Sequence, residues 1–135
     1  MIGFSREVDY SIRIVNYLSQ TENIRIYASE ISEQTGVSLR FSLKILGRLA
    51  KSGIVDSMKG VGGGYILARP RNEITLLNVV NAIMGEIHIS PCCAPGYACS
   101  RPSSDDCVFH EVFCELNEFI VKRLGEIDFN ITANR

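Results

Sequence analysis

The sequence predicts a mainly α-helical fold carrying one small β-hairpin, on three observations. Apolar residues recur at helical spacing through most of the chain. One stretch, KGVGGG at residues 59–64, interrupts that spacing between two short runs of strand character. After a loop dense in cysteine, a broad apolar and aromatic stripe returns every three or four residues. A length of 135 residues with a 46% apolar share suits one domain with a real core.

From Ser5 to Gln20, Val8, Ile12, Val15 and Leu18 fall on one helical face, and Ser5 can cap its start. Residues 23–26 connect it to a short helix over Ala28–Gln34, with Ile31 inward, which stops at Gly36. Ser38 caps a longer helix to about Ser52, for which Leu39, Leu43, Leu46 and Leu49 or Ala50 are the predicted inward set; Gly53 ends it. Two helices around a short glycine-containing turn form a helix-turn-helix pattern. Ile54–Met58 and Tyr65–Ala68 then read as strands joined by the glycine tip. A helix-turn-helix running directly into such a hairpin predicts a winged helix, closed by Pro70.

Glu73–Met84 is the fourth helix, with Thr75 as its cap. A loop over 90–106 follows. A last helix, Cys107–Leu124, capped by Asp105 or Asp106, carries Phe109, Val112, Phe113, Leu116, Phe119, Ile120 and Leu124 on one stripe. A stripe this wide needs a partner surface, and a second copy of the chain is the simplest one. The organisation is therefore a winged-helix unit at 1–84, a cysteine-rich loop at 85–106, a helix at 107–126 expected to dimerise and a tail at 127–135 with no further signal; the residues below give the first unit its expected DNA binding and the loop its expected cluster binding.

The formal net charge of −1 hides an asymmetry. Residues 1–71 hold ten Lys/Arg against six Asp/Glu; residues 72–135 hold four against nine. The basic half points to a polyanion partner for that half alone. No apolar run approaches membrane-spanning length, and the N-terminal residues mix charge into their apolar positions, so a cytoplasmic protein is expected. Without a nucleotide loop, a Cys-x-x-Cys pair or a substrate-pocket motif, no enzyme is expected.

In a helix-turn-helix the second helix enters the major groove and its N-terminal residues meet base edges. Here Arg40 can form two hydrogen bonds to a guanine edge, Ser38 and Ser42 can bond bases or phosphates, and Phe41 can touch a thymine methyl. Lys44 and Arg48, one and two turns on, suit phosphates. Lys59 and the wing amides of Gly62 and Gly63 can reach phosphates or the minor groove.

In the loop, five residues separate Cys93 from Cys99 and seven separate Cys99 from Cys107; His110 stands three after Cys107. Thiolates hold iron–sulfur clusters and imidazole can replace one of them. Tetrahedral zinc on three cysteines and a histidine is nearly as good a reading, although the loop lacks the short Cys-x2-Cys knuckle common in structural zinc sites. Cys92 reads as a spare thiol beside Cys93, Cys114 as a small apolar residue of the last helix or a substitute ligand, and His88 as structural.

The segment ISEQTGVSLRFSLKILGRLAKSGIVDSMKGVGGGYILARP, with Ser38, Leu39, Leu49, Gly53 and the wing from Gly62 to Arg69, resembles the Rrf-type family of bacterial winged-helix transcriptional regulators. The resemblance runs from about Ser5 to Ala82 and resumes in the cysteine loop and last helix. It implies a homodimer on a palindromic double-stranded operator, usually repressing. It matches Ser38, Arg40 and Phe41 to the recognition helix and Lys59 to the wing. Its iron–sulfur-assembly branch, the nearest in cysteine pattern, implies a [2Fe–2S] cluster, rather than [4Fe–4S], on Cys93, Cys99, Cys107 and His110. Its nitric-oxide branch implies Asp9 as an alternative fourth ligand. The expected function is regulation of transcription in response to iron–sulfur status, redox state or nitric oxide, with a thiol- or zinc-based sensor as the alternative.

Overall fold

The computed structural model describes residues 3–102 and 105–133; residues 1–2, 103–104 and 134–135, which the sequence reading assigns to the first domain, the loop and the tail, lie outside the described residues. Helix α1 (Arg6–Gln20) begins where the Ser5 hydroxyl accepts the Val8 amide, and it buries Val8, Ile14, Val15 and Leu18. Helix α2 (Ala28–Thr35) ends on Gly36 at φ +73°, in the left-handed region that favours glycine. Helix α3 (Leu39–Lys51) starts under the Ser38 hydroxyl, which accepts the Phe41 amide at 3.3 Å.

The buried stripe of α3 is Ser42, Ile45, Leu46 and Leu49. Leu39 and Leu43, predicted inward, are 47% and 46% exposed. At 100° per residue both lie on the flank of that stripe, so the first two turns present an apolar edge outward. Strands β1 (Val55–Met58) and β2 (Gly64–Leu67) pair antiparallel, from Val55 opposite Leu67 to Met58 opposite Gly64. Ile26, expected only as connector, adds a third element by exchanging both backbone hydrogen bonds with Tyr65 at 2.8 and 2.9 Å. The close approach explains Gly64: a Cβ there would sit 2.6 Å from the Ile26 carbonyl oxygen, and its φ is +112°.

Helix α4 (Leu76–Met84) begins later than predicted. Thr75 and Asn78 form a reciprocal capping box at 3.1 and 2.9 Å, while residues 71–73 make a separate 3-10 turn and Ile74 drops into the core. The core gathers Ile14, Ile31, Ile45, Leu46, Leu49, Ile54, Ile74 and Val79 from α1 to α4 and the hairpin. Helix α5 (Val108–Glu126) packs on α4 and on a 3-10 turn at 91–93, yet none of its residues is buried. Its cap position is Cys107 with no side-chain cap, so the predicted Asp105 or Asp106 cap is corrected. The tail stitches α5 back to the head: Phe129 enters the core at 3% exposure, the Leu76 amide donates to Ile127 and Thr132 donates to the Asn16 side chain.

Candidate functional site

Two surfaces carry the predicted chemistry. The first is the outer side of α3 with the wing. Ser38, Arg40 and Phe41 are exposed at its N-terminus, and the Phe41 ring meets Tyr10 of α1 edge-on at 6.1 Å. Ser42 is different. It is fully buried and its hydroxyl donates to the Val37 carbonyl at 3.3 Å, so it holds the turn between α2 and α3 and its predicted DNA contact is corrected.

Lys44 and Arg48 are about half exposed but paired. Glu7 of α1 takes Lys44 Nζ on one carboxylate oxygen at 2.6 Å and Arg48 Nη1 on the other at 3.1 Å; Arg48 also donates to the Ile83 carbonyl at 3.2 Å. The Lys44 hydrogen bond foremost, then the charges of Lys44 and Arg48, hold the Glu7 carboxyl below the usual carboxylate range. Surface pairs of this kind are weak enough to exchange for phosphate oxygens. Residues 37 and 41 positions apart in the chain meet here, and no local spacing signals it.

In the wing, Lys59 and Gly62 are exposed and Val61 stands fully out at the tip. Gly63 is buried, its amide donates to the Gly60 carbonyl at 3.0 Å, and a Cβ would collide with the Met58 and Gly60 carbonyl oxygens. Its predicted phosphate contact is therefore corrected too: this glycine closes the turn, and only Gly62 of the pair keeps its backbone at the surface.

The second surface lies between the loop and the start of α5. Cys92, Cys99, Cys107 and His110 line one cavity of about 360 Å3, together with Arg101, Tyr97 and the rings of Phe109 and Phe113. Of the predicted ligands, three face that cavity. The fourth, Cys93, does not line it; its neighbour Cys92 does. The two are adjacent on the 91–93 turn, and only Cys92 of the pair lines the cavity. Cys93 instead receives the Cys114 thiol at 3.4 Å, and Cys114 also lies 3.7 Å from both His110 ring nitrogens. The helical spacing of Cys107, His110 and Cys114 is the signal that could have found this.

The environments of the paired loop thiols differ. The Ser90 hydroxyl, 3.2 Å away, and then His110 pull Cys92 below the ordinary thiol range. Burial foremost, then the Cys114 hydrogen bond, pushes Cys93 up to about 11. Arg101 Nη1 donates to the Cys107 sulfur at 3.0 Å. Asp9, the alternative ligand, is paired with Arg13 at 2.7 Å. His88 sits 3.5 Å from Glu86. Among the described residues, no three His, Cys, Asp or Glu side chains stand close enough together to hold a single metal ion. The donor set facing the cavity, thiols and one imidazole, fits an iron–sulfur cluster in chemistry; ligation requires the loop to draw those donors inward. No described helix is long and apolar enough to cross a membrane.

Comparison with known proteins gives a consistent result. The family profile of Rrf2, described as an iron-dependent transcriptional regulator, matches residues 4–133. An HTH-type transcriptional regulator of Neisseria meningitidis is 30% identical over 109 residues, 81% of this chain and 70% of that protein. The HTH-type transcriptional regulator IscR of Xenorhabdus nematophila is 33% identical over 104 residues, 73% of this chain and 58% of that regulator's own length. The structure of CymR, the global cysteine regulator of B. subtilis, superposes with a TM-score of 0.81 at 18% identity, covering 99% of this chain and 98% of that one, which establishes the shared fold.

Proposed function

The chain belongs to the Rrf2 family of transcriptional regulators, a family of regulators and not of enzymes, and from that premise we propose that it is a dimeric repressor whose operator affinity is set by a [2Fe–2S] cluster in the loop. Two recognition helices related by a two-fold axis read a palindromic duplex. Arg40 and Phe41 meet base edges, Ser38 holds the helix start, and Lys59 with the Gly62 backbone reach phosphates. Lys44 and Arg48 join them by exchanging Glu7 for phosphate oxygens.

The stripe on α5 supplies the dimer contact: Phe109, Val112, Phe113, Leu116 and Phe119 are all exposed. Cys99, Cys107 and His110 would hold the cluster with Cys93 of the 91–93 turn, and Asp9 is the alternative to His110. When bound, such a cluster supplies an iron centre responsive to redox state and to exchange of a labile ligand. The chain's own contribution is to order the loop against α5, which biases the spacing of the two reading heads.

The observation that carries this reading is that one helix, α5, meets the thiol loop and also presents an exposed apolar stripe. Its first two turns bring Cys114 to the loop's Cys93, with His110 beside it, and the same helix carries an apolar stripe that stays exposed among the described residues. Visible spectra with iron and acid-labile sulfide content, on protein isolated without oxygen, test it. A coloured protein holding two irons per chain is expected; colourless, iron-free protein after reconstitution overturns the cluster. A second reading, a thiol- or zinc-based sensor, is favoured by the 3.4 Å approach of Cys93 and Cys114 and by thiols not gathered around one point. It predicts colourless protein with zinc or with no metal.

A further inference from the structure

We infer that Cys93 and Cys114 are a disulfide-forming pair, a modification site that closes the loop onto α5 and competes with metal ligation. The juxtaposition is specific. The five cysteines are all free, and the Cys114 thiol donates to the Cys93 sulfur at 3.4 Å, a contact between residues 21 positions apart in the chain. Both thiols sit on regular backbone: Cys93 ends the 3-10 turn, held by its amide donating to Ser90 at 3.0 Å, and Cys114 lies in the second turn of α5. The turn and the helix pack together along this contact. Closing 3.4 Å to a bonded sulfur pair is a small movement, within reach of side-chain rotation and a slight shift of the turn. Cys107 instead accepts from Arg101.

The oxidant is a peroxide. One thiolate of the pair attacks the O–O bond and becomes a sulfenic acid, releasing water from hydrogen peroxide or an alcohol from an organic one. The other thiolate attacks that sulfur and displaces its hydroxyl group as water, forming the S–S bond. Two thiols give up two electrons and two protons, and one peroxide is reduced.

The consequence for sensing rests on the cluster reading above: a Cys93 bound to Cys114 cannot ligate iron, so disulfide and cluster exclude each other. The disulfide itself does not depend on that reading. It also leaves Cys92, which already faces the cavity with Cys99, Cys107 and His110, as the free thiol of the turn.

The test is thiol mapping of the full chain. Metal-free protein is treated with one equivalent of hydrogen peroxide, its remaining thiols are alkylated, and its peptides are sequenced by mass spectrometry. A Cys93–Cys114 link with Cys99 and Cys107 alkylated is expected, and Cys114→Ser abolishes it. Links from Cys93 to other cysteines that are as abundant in wild type as in Cys114→Ser would overturn the pair, as would full alkylation of both residues. Cys93→Ser provides a second control and must abolish the same link. Protein reconstituted with iron and sulfide then separates the two claims. Protection of Cys93 until the cluster is removed is expected, and an equal rate of linking with the cluster in place overturns the exclusion. If no cluster forms in wild type or in Cys114→Ser, the cluster reading fails while the mapped disulfide stands.

Discussion

The N-terminal head of this chain and its cysteine loop with the last helix are built on opposite terms. In the head, α1 to α4 and the hairpin bury Ile14, Ile31, Ile45, Leu46 and Leu49 completely, and the starts of α1, α3 and α4 are fixed by side-chain caps. In the loop and last helix, α5 packs on α4 without fully burying any of its residues, its start has no side-chain cap, and the loop collects thiols. The head is complete as a single chain. The loop and last helix instead leave Phe109, Val112, Phe113, Leu116 and Phe119 exposed, the kind of apolar face that a partner surface covers.

Several substitutions break or sharpen this contrast. The largest effect is expected where the two parts are tied. Phe129→Ala removes the ring that anchors the tail in the head's core and should cost about 3–5 kcal/mol in denaturant unfolding. A loss below 1 kcal/mol would mean the tail is an appendage. Next comes Arg40→Ala, which should leave folding unchanged and weaken the preferred duplex by about 1–3 kcal/mol with little effect on random DNA; competition binding reads both. Leu116→Glu probes the other side. Monomer stability should stay within about 0.5 kcal/mol, because the residue is 49% exposed, while the dimer dissociation constant rises at least about tenfold in sedimentation equilibrium. A dimer unaffected by Leu116→Glu places the interface elsewhere.

The smallest effect belongs to Glu7→Gln. Freeing Lys44 and Arg48 should steepen the salt dependence of DNA binding by about one to two counterions. The pH sign follows from the lowered Glu7 carboxyl. The pairing is complete above the ordinary carboxylate range and is lost as pH falls through the lower folded value. Wild type should therefore approach the variant only in acid.

What the sequence made legible follows the same division. The head's elements were readable because caps, glycine stops and apolar spacing are local signals: Ser5, Ser38, Gly36 and Thr75 all act where the pattern puts them. Misreadings within it arose one helical position away. Leu39 and Leu43 fit the apolar spacing yet flank the buried stripe, and Ser42 and Gly63 turn inward to satisfy backbone groups. Phe129 and the Glu7 pairing were out of reach because each depends on chain segments far apart in sequence. In the loop, spacing picked out Cys93, Cys99, Cys107 and His110, of which the structure brings Cys99, Cys107 and His110 to one cavity. It chose Cys93 over adjacent Cys92, whereas Cys92 is the one that lines the cavity, a choice set by the local turn and not by spacing.

The central claim is that the state of the loop sets the grip of the head on DNA. The direct measurement is anisotropy binding, at fixed salt and without oxygen, of cluster-loaded and cluster-free protein to the tightest duplex selected from a random library. Affinities that differ by at least about tenfold are predicted, corresponding to about 1.4 kcal/mol of coupling. Equal affinities and equal sequence preference in the two states would contradict the claim.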